Sequence, residues 1–192
     1  MISVVIATHE SEVLLVPTLA ALVPGALAGI VREVIVADGG STDATAKVAD
    51  VAGCRYVVTA APLGERLRSA AGLARASWLL FLEPGVVPEP GWIDEVTRFV
   101  QQTDDTADAA RAAVFRPATT ARRRSAIADA LAHLAAALIG RLSSAQGLLI
   151  AKRHYDALGG HDTDHVEPER DLLRRLGRRR ITMLRCGAVT AS

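Results

Sequence analysis

Four short apolar runs, Ile2–Ala7, Val34–Ala37, Arg55–Thr59 and Trp78–Leu82, recur along the first part of the chain with a helix-length segment between each pair. They are continuous β-branched or aliphatic stretches. A strand with one solvated face alternates apolar and polar residues, whereas a strand covered on both faces does not, so these runs read as parallel strands sandwiched by helices. Strand and helix alternating at this spacing imply right-handed crossovers and an open sheet. The expected fold class is α/β: a single Rossmann-like domain with a mostly parallel central sheet flanked by helices.

Helix signals fill the intervals. Pro17 is placed near the start of the first helix, ahead of Leu19, Leu22 and Val23. Ser41 or Thr42 caps the second, which ends near Gly53, and the third spans about Gly64 to Ala76. The stretch Glu83–Gly91, rich in proline and glycine, is neither helix nor central strand. A helix from Trp92 to about Gln102 follows, then a loop over Thr103–Asp108. Strands are expected near Ala112–Phe115, Gly147–Ala151 and Ile181–Leu184, with a loop at Gly159–Gly160 and a short helix over Glu167–Leu176. Ile127, Leu131, Leu134, Leu138 and Leu142 form one helical stripe, read as packing rather than as a membrane anchor.

Composition narrows the function classes. A chain of 192 residues can bury a real core. A net charge of +1 argues against a general nucleic-acid binder, whose affinity rests on many uncompensated cations. No run approaches the roughly 20 apolar residues that span a bilayer. The chain enters a strand at Ile2 without the basic and apolar regions of a secretory leader, so a cytoplasmic protein is expected. Cys54 and Cys186, far apart and each beside a strand, read as buried small hydrophobes. The basic residues cluster in two runs, Arg122–Arg124 and Arg174, Arg175, Arg178, Arg179 and Arg180. They read as solvated surface, with contact to anionic lipid at the inner face of the membrane, or to a diphosphate-linked acceptor, as the functional alternative.

In open α/β sheets ligands bind beyond the carboxyl ends of the strands. Three polar turns fall there: Ala7-Thr8-His9-Glu10, Asp38 to Asp43, and Glu83-Pro84-Gly85. Asp38 can accept hydrogen bonds from a base or ribose, and the two glycines after it let backbone approach a ligand. A carboxylate at Glu83 can help hold a divalent cation that bridges phosphates.

The segments Ile2-Ser3-Val4-Val5-Ile6-Ala7-Thr8-His9-Glu10 and Val34-Ile35-Val36-Ala37-Asp38-Gly39-Gly40-Ser41-Thr42-Asp43 resemble the opening strands of family 2 glycosyltransferases of the GT-A fold. The nearest likeness is to the short bacterial subgroup with an Asp-Gly-Gly-Ser-x-Asp turn. Gly64, Leu67, Arg68 and the run Leu73-Ala74-Arg75 to Leu79-Leu80-Phe81-Leu82 continue it. Gln146-Gly147, Leu158-Gly159-Gly160 and Asp171-Leu172-x-x-Arg175-Leu176 keep the family's order. The resemblance implies one GT-A-like domain over 1–192, with a nucleotide-binding half (1–102) and an acceptor and catalytic half (103–192). It implies transfer of a sugar, with inversion, from a nucleotide-diphosphate sugar of uridine type to an acceptor hydroxyl, lipid-linked acceptors included. Thr8, Glu10, Asp38 and Gly39 would then cradle base and ribose, with Gly64 and Arg68 near the nucleotide or diphosphate. Glu83 would stand at the first position of the metal motif, holding magnesium or manganese, and Glu169 at the general base.

Departures fall on the chemical motifs. The metal motif ends in Gly85 where the family carries an aspartate, which weakens the cation site. Ser144-Ala145 stand where the subgroup has Gly-Asp, and the base motif reads Pro168-Glu169. Glu167 is an alternative base two residues earlier. The segment His161–Asp171, dense in histidine and carboxylate, is a candidate source of a replacement metal ligand. Two rival readings follow: a nucleotide-sugar-binding protein that has lost catalysis and acts through a partner, and a nucleotidyltransferase, which should carry an arginine-containing glycine loop after the first strand.

Overall fold

A computed structural model describes residues 1–105, 110–117 and 146–191. Strands β1 (Ile2–Thr8), β2 (Val31–Asp38), β3 (Arg55–Val58) and β4 (Trp78–Leu82) lie parallel in the order β3-β2-β1-β4, in a register that pairs Thr8 with Asp38. Helices α1 (Glu12–Leu27), α2 (Thr45–Val51) and α3 (Leu63–Leu73) make the crossovers. The four strands match the apolar runs of the sequence, because only a two-faced cover of helices tolerates uninterrupted hydrophobicity.

Beyond β4 the sheet is mixed. β5 (Val86–Pro88), β6 (Ala112–Pro117), β7 (Leu148–Ala151) and β8 (Ile181–Thr190) extend it as β4-β7-β6-β8-β5. β7 runs antiparallel to both β4 and β6, β8 is parallel to β6, and β5 closes the outer edge antiparallel to β8. The prolines around β5 agree with an edge position. Helices α4 (Trp92–Asp105), α5 (Lys152–Ala157) and α6 (Pro168–Leu176) complete the described elements, with a 3-10 turn at Arg178–Arg180. Two cores form, one per sheet face: Val4, Ile6, Leu15, Leu22, Trp78 and Phe99 on the α1/α4 side, and Val5, Ile35, Leu67, Leu79, Tyr155 and Leu172 on the α3/α6 side.

Several boundaries differ from expectation. Pro17 lies inside α1, which starts at Glu12, because Ser11 O accepts the Leu15 N–H (2.8 Å) and Asp43 accepts the Glu12 N–H (3.0 Å). Neither Ser41 nor Thr42 caps α2. Ser41 is drawn to Asp38, and Asp43 accepts the Thr45 N–H at 2.9 Å, so the helix begins at Thr45. α3 ends at Leu73 and α4 runs on to Asp105, through the first residues of the expected loop. β8 is far longer than Ile181–Leu184. The stripe from Ile127 to Leu142, the Arg122–Arg124 run and Ser144-Ala145 lie outside the described residues. No helix among the described residues is long and apolar enough to cross a membrane. Cys54 and Cys186 are both free thiols, and burial pushes each up to about 11.

Candidate active site

The carboxyl ends of β1, β2 and β4 place the three polar turns side by side. The densest bonding surrounds Asp38, whose side chain is fully buried. Its Oδ1 accepts the Thr8 hydroxyl (2.7 Å) and the Ser41 hydroxyl (2.5 Å), and its Oδ2 accepts the amides of Gly40 (2.9 Å) and Ser41 (2.6 Å). The Tyr56 hydroxyl bonds to it as well. Burial alone would raise its pKa, but the Ser41 hydroxyl and amide, Thr8 and Tyr56 hold it down to about 2. A carboxylate has about four lone-pair sites. These donors fill them, so Asp38 builds the turn that presents the ligand face.

Glu10 is exposed and adopts a left-handed backbone (φ 49°). Its amide donates to the Ser41 hydroxyl (2.8 Å), and its carboxylate accepts the Thr42 amide (2.6 Å) and hydroxyl (3.1 Å). The β1 and β2 turns are therefore laced into one rim. Gly40 takes φ 94°, a conformation that side chains resist, and the Gly39 amide bonds back to Thr8 O at 2.8 Å.

Arg66 lies under this rim. Its guanidinium donates to Thr8 O (2.7 Å) and Ala37 O (3.1 Å), tying together the ends of β1 and β2. A Cβ at Gly39 would come within 2.9 Å of that guanidinium, so the glycine makes room for the arginine. Arg68, the arginine singled out from sequence, is exposed on a different face of α3, where its charge is felt at Tyr155. Residues two apart on a helix do not share a face. Gly64 is buried because α3 touches the loop before α6: a Cβ there would stand 1.9 Å from Asp162 O.

The third turn meets α6. Glu83 follows β4, half-buried, and Gly85 (φ 88°) donates to Leu14 O and to the Thr18 hydroxyl, both at 2.9 Å, which anchors the turn on α1. Glu169, in the first turn of α6, lines a small cavity with Phe81, Leu82, Gly147, Leu148, His161 and Leu173. Burial pushes its carboxyl up to about 7, and the nearby Glu83 charge adds to the shift. Glu167 is exposed and ion-paired with Arg170 at 2.8 Å. Of the two candidate bases, Glu169 is the one enclosed beside Glu83.

Apart from Glu169, several histidine and carboxylate groups of the segment 161–171 bond within the fold. His161 is buried, its Nδ1 2.8 Å from the Tyr155 hydroxyl, and burial, with the Arg175 charge, lowers its pKa to about 3. Asp162 accepts the Asp164 amide (2.9 Å), and His165 accepts the Glu167 amide (3.1 Å). Asp171 holds Arg174 (2.7 Å) and Arg175 (2.6 Å), while Arg175 also donates to Leu158 O and Gly160 O. Among the described residues no group of three or more His, Cys, Asp or Glu side chains is arranged to hold a metal ion.

With this geometry in view, comparison with known proteins is decisive on one point. The profile of glycosyl transferase family 2 matches residues 3–169. The chain belongs to glycosyl transferase family 2. Among solved structures, this transferase-family chain matches glucosyl-3-phosphoglycerate synthase from Mycobacterium tuberculosis in complex with Mn2+, uridine diphosphate and glucosyl-3-phosphoglycerate, with a TM-score of 0.65 and 20% identity over 95% of this chain and 68% of that one. The same synthase with uridine diphosphate gives a TM-score of 0.66 at 20% identity, over 95% and 69% of the two chains. Its complex with Mn2+ and uridine-diphosphate-glucose gives 0.63 at 21%, over 95% and 68%. These likenesses show that the domain has the GT-A type of fold. No curated protein sequence gives a significant match.

Sequence reasoning missed Arg66 and Tyr56. Strand register holds the missing signal: Tyr56 pairs with Val36 on the neighbouring strand, one pleat before Asp38 and on its face of the sheet.

Proposed function

We propose that this chain is an inverting glycosyltransferase that takes its sugar from a nucleotide-diphosphate donor of uridine type. The observation that carries the reading is Glu169, a carboxyl raised to about 7 by burial, beside Glu83 on the ligand edge of a family 2 fold. A general base works best when its pKa lies near the working pH. Glu169 would take the proton of the acceptor hydroxyl as that oxygen attacks the anomeric carbon, and the nucleoside diphosphate would leave on the opposite side.

Base and ribose would lie on the rim built from Thr8, Glu10, Asp38 and Gly39, the surface that the Asp38 hydrogen bonds hold rigid. Arg66 is the cation nearest that rim, where its guanidinium meets the strand ends, and supports diphosphate binding better than Arg68. Gly64 keeps α3 and the segment before α6 in contact, which sets the distance from rim to base.

Cation use follows from the donor set. Magnesium and manganese accept one or two carboxylates, with phosphate oxygens and water completing the shell. Glu83 fits that limited role, whereas a dedicated protein cage is absent among the described residues. A cation that arrives with the donor would neutralise charge on the leaving diphosphate, and Glu83 would hold it. The mycobacterial synthase, bound to Mn2+ with uridine diphosphate, supports this choice.

The test is a panel of nucleotide sugars, read by release of nucleoside diphosphate and, in parallel, by calorimetric binding with and without Mn2+. The expected result is uridine-dependent binding strengthened by Mn2+, together with turnover. Tight binding without turnover under any metal would favour a binding module that has lost catalysis. No binding of any uridine-diphosphate sugar would reject the reading.

A further inference from the structure

The near-neutral chain is electrically polarised across its sheet. The ligand edge carries Glu10, Asp43, Glu83, Asp162, Glu167 and Glu169, against Arg66 beneath the rim and Arg170 paired with Glu167. At the opposite edge, where strands β1 to β4 begin, Arg32 and Arg55 sit at the starts of β2 and β3 and Arg75 just before β4. β7 ends at this edge, with Ala151 opposite Trp78 and the Lys152 amide 2.8 Å from Ser77 O, so Arg153 joins the group. β8 starts there too, with Ile181 opposite Ala112, which adds Arg179 and Arg180. All six arginines are exposed. The acids around them are Glu33, which is ion-paired with Arg75 at 3.0 Å, Asp104 beside the Trp78 indole, and Asp50 and Asp156 in the adjoining helices.

Apolar side chains share this edge. α1 and α2 both run from the ligand edge down to it, and their last residues, Leu27 (85% exposed) and Val51 (80%), project into solvent, as does Met1 (58%) before β1. An apolar groove runs between the two helices from Glu12 and Ala44 at the ligand edge to Val23, Ala26, Val51 and Cys54 at this one. Exposed aliphatics on the same edge as a row of guanidinium groups suit an interface where headgroups are anionic and the layer beneath is greasy. Nucleic acid fits less well: base stacking needs exposed aromatic rings, and all of the Phe, Trp and Tyr residues are buried or half-buried.

We infer that the strand-start edge, with Arg32, Arg55, Arg153, Arg179 and Arg180 strung along it and Leu27 and Val51 exposed at one end, docks on an anionic lipid surface. The site then faces water. Six residue steps along a strand separate the two edges by about 20 Å, so these arginines steer and hold the protein without reaching the donor diphosphate. This inference is independent of the donor-sugar reading.

The experiment is co-sedimentation of the full chain with vesicles of phosphatidylcholine alone or mixed with phosphatidylglycerol, over a series of salt concentrations. Binding is expected only to the anionic vesicles and should weaken steeply with salt. The triple variant R153E/R179E/R180E should lose about a hundredfold, at roughly 1 kcal/mol per basic residue near the surface. L27S/V51S should lose several-fold with an unchanged salt slope. Unaltered melting temperatures would show that both variants are folded, and an unfolded triple variant would be replaced by the milder R179Q/R180Q, expected to lose at least several-fold. Absence of binding to anionic vesicles at low salt, or binding untouched by charge reversal, overturns the proposal. Equally tight binding to duplex DNA, lost in the same variants, overturns it in favour of a general polyanion site.

Discussion

Asp38 and Glu169 are carboxylates on the same edge of one sheet, yet their surroundings push them in opposite directions. Asp38 is encircled by hydroxyl and amide donors and is held at about 2. Glu169 is enclosed by Phe81, Leu82 and Leu173, faces another acid, and rises to about 7. Two titratable groups driven apart in this way divide the labour of a site: one fixes geometry and the other moves a proton. Construction is concentrated in the β1–β2 rim, and chemistry is concentrated where α6 meets β4.

The sharpest way to break that contrast is to remove each group's charge. Glu169→Gln should cut turnover by about a hundred- to ten-thousandfold, the usual range for a general base. Donor binding measured by calorimetry should change little, whereas a parallel loss of binding would make Glu169 a ligand contact. Asp38→Asn should act on stability instead. A folded pKa near 2 against 3.8 corresponds to about 2 kcal/mol of stability. Because the folded value is depressed, that contribution is present above pH 3.8 and is lost as pH falls towards 2. Chemical denaturation at neutral pH should show the cost, and the variant should lose the acid-induced step in that window.

Gly64→Ala should cost about 1 to 3 kcal/mol, the range for overpacking, because its Cβ would meet the Asp162 carbonyl at 1.9 Å. Thermal melting measures the cost, and turnover should fall further than stability alone accounts for, since the rim-to-base distance changes. A further effect concerns the stability that Glu169 removes. Its folded pKa is raised, so the folded state binds more protons than the unfolded chain between 4.5 and about 7, and stability falls as pH rises through that window. Glu169→Gln should melt at a higher temperature than the parent above pH 7 and lose that advantage below pH 4.5. A melting difference that does not vary with pH would show that Glu169 is not buried in its acid form.

How far the molecule could be read from sequence follows the same division. β1 to β4 were legible because strands buried on both faces are unbroken apolar runs. β8 was legible only to Leu184, since its second half, Arg185 to Thr190, mixes charge, glycine and small residues that carry no strand pattern. The start of α1 was misjudged because proline favours the first turn, while the helix is in fact fixed by Ser11 and Asp43. The turn at Asp38 was visible, but its saturation was not, because the donors Thr8 and Tyr56 come from neighbouring strands. The contact of Arg66 with the strand ends was hidden for a similar reason: which helical face meets them is a matter of packing.

The most direct test of the central claim is the pH profile of kcat/KM for nucleoside diphosphate release from the preferred donor, measured at constant cation for the parent and for Glu83→Gln. The parent should gain activity as pH rises through about 7, when Glu169 becomes a base. The Glu83→Gln profile should shift to lower pH, since a neighbouring negative charge has been removed. A profile that is flat from acid to alkaline pH, or one that Glu83→Gln leaves in place, would contradict the assignment of the proton-accepting role to Glu169.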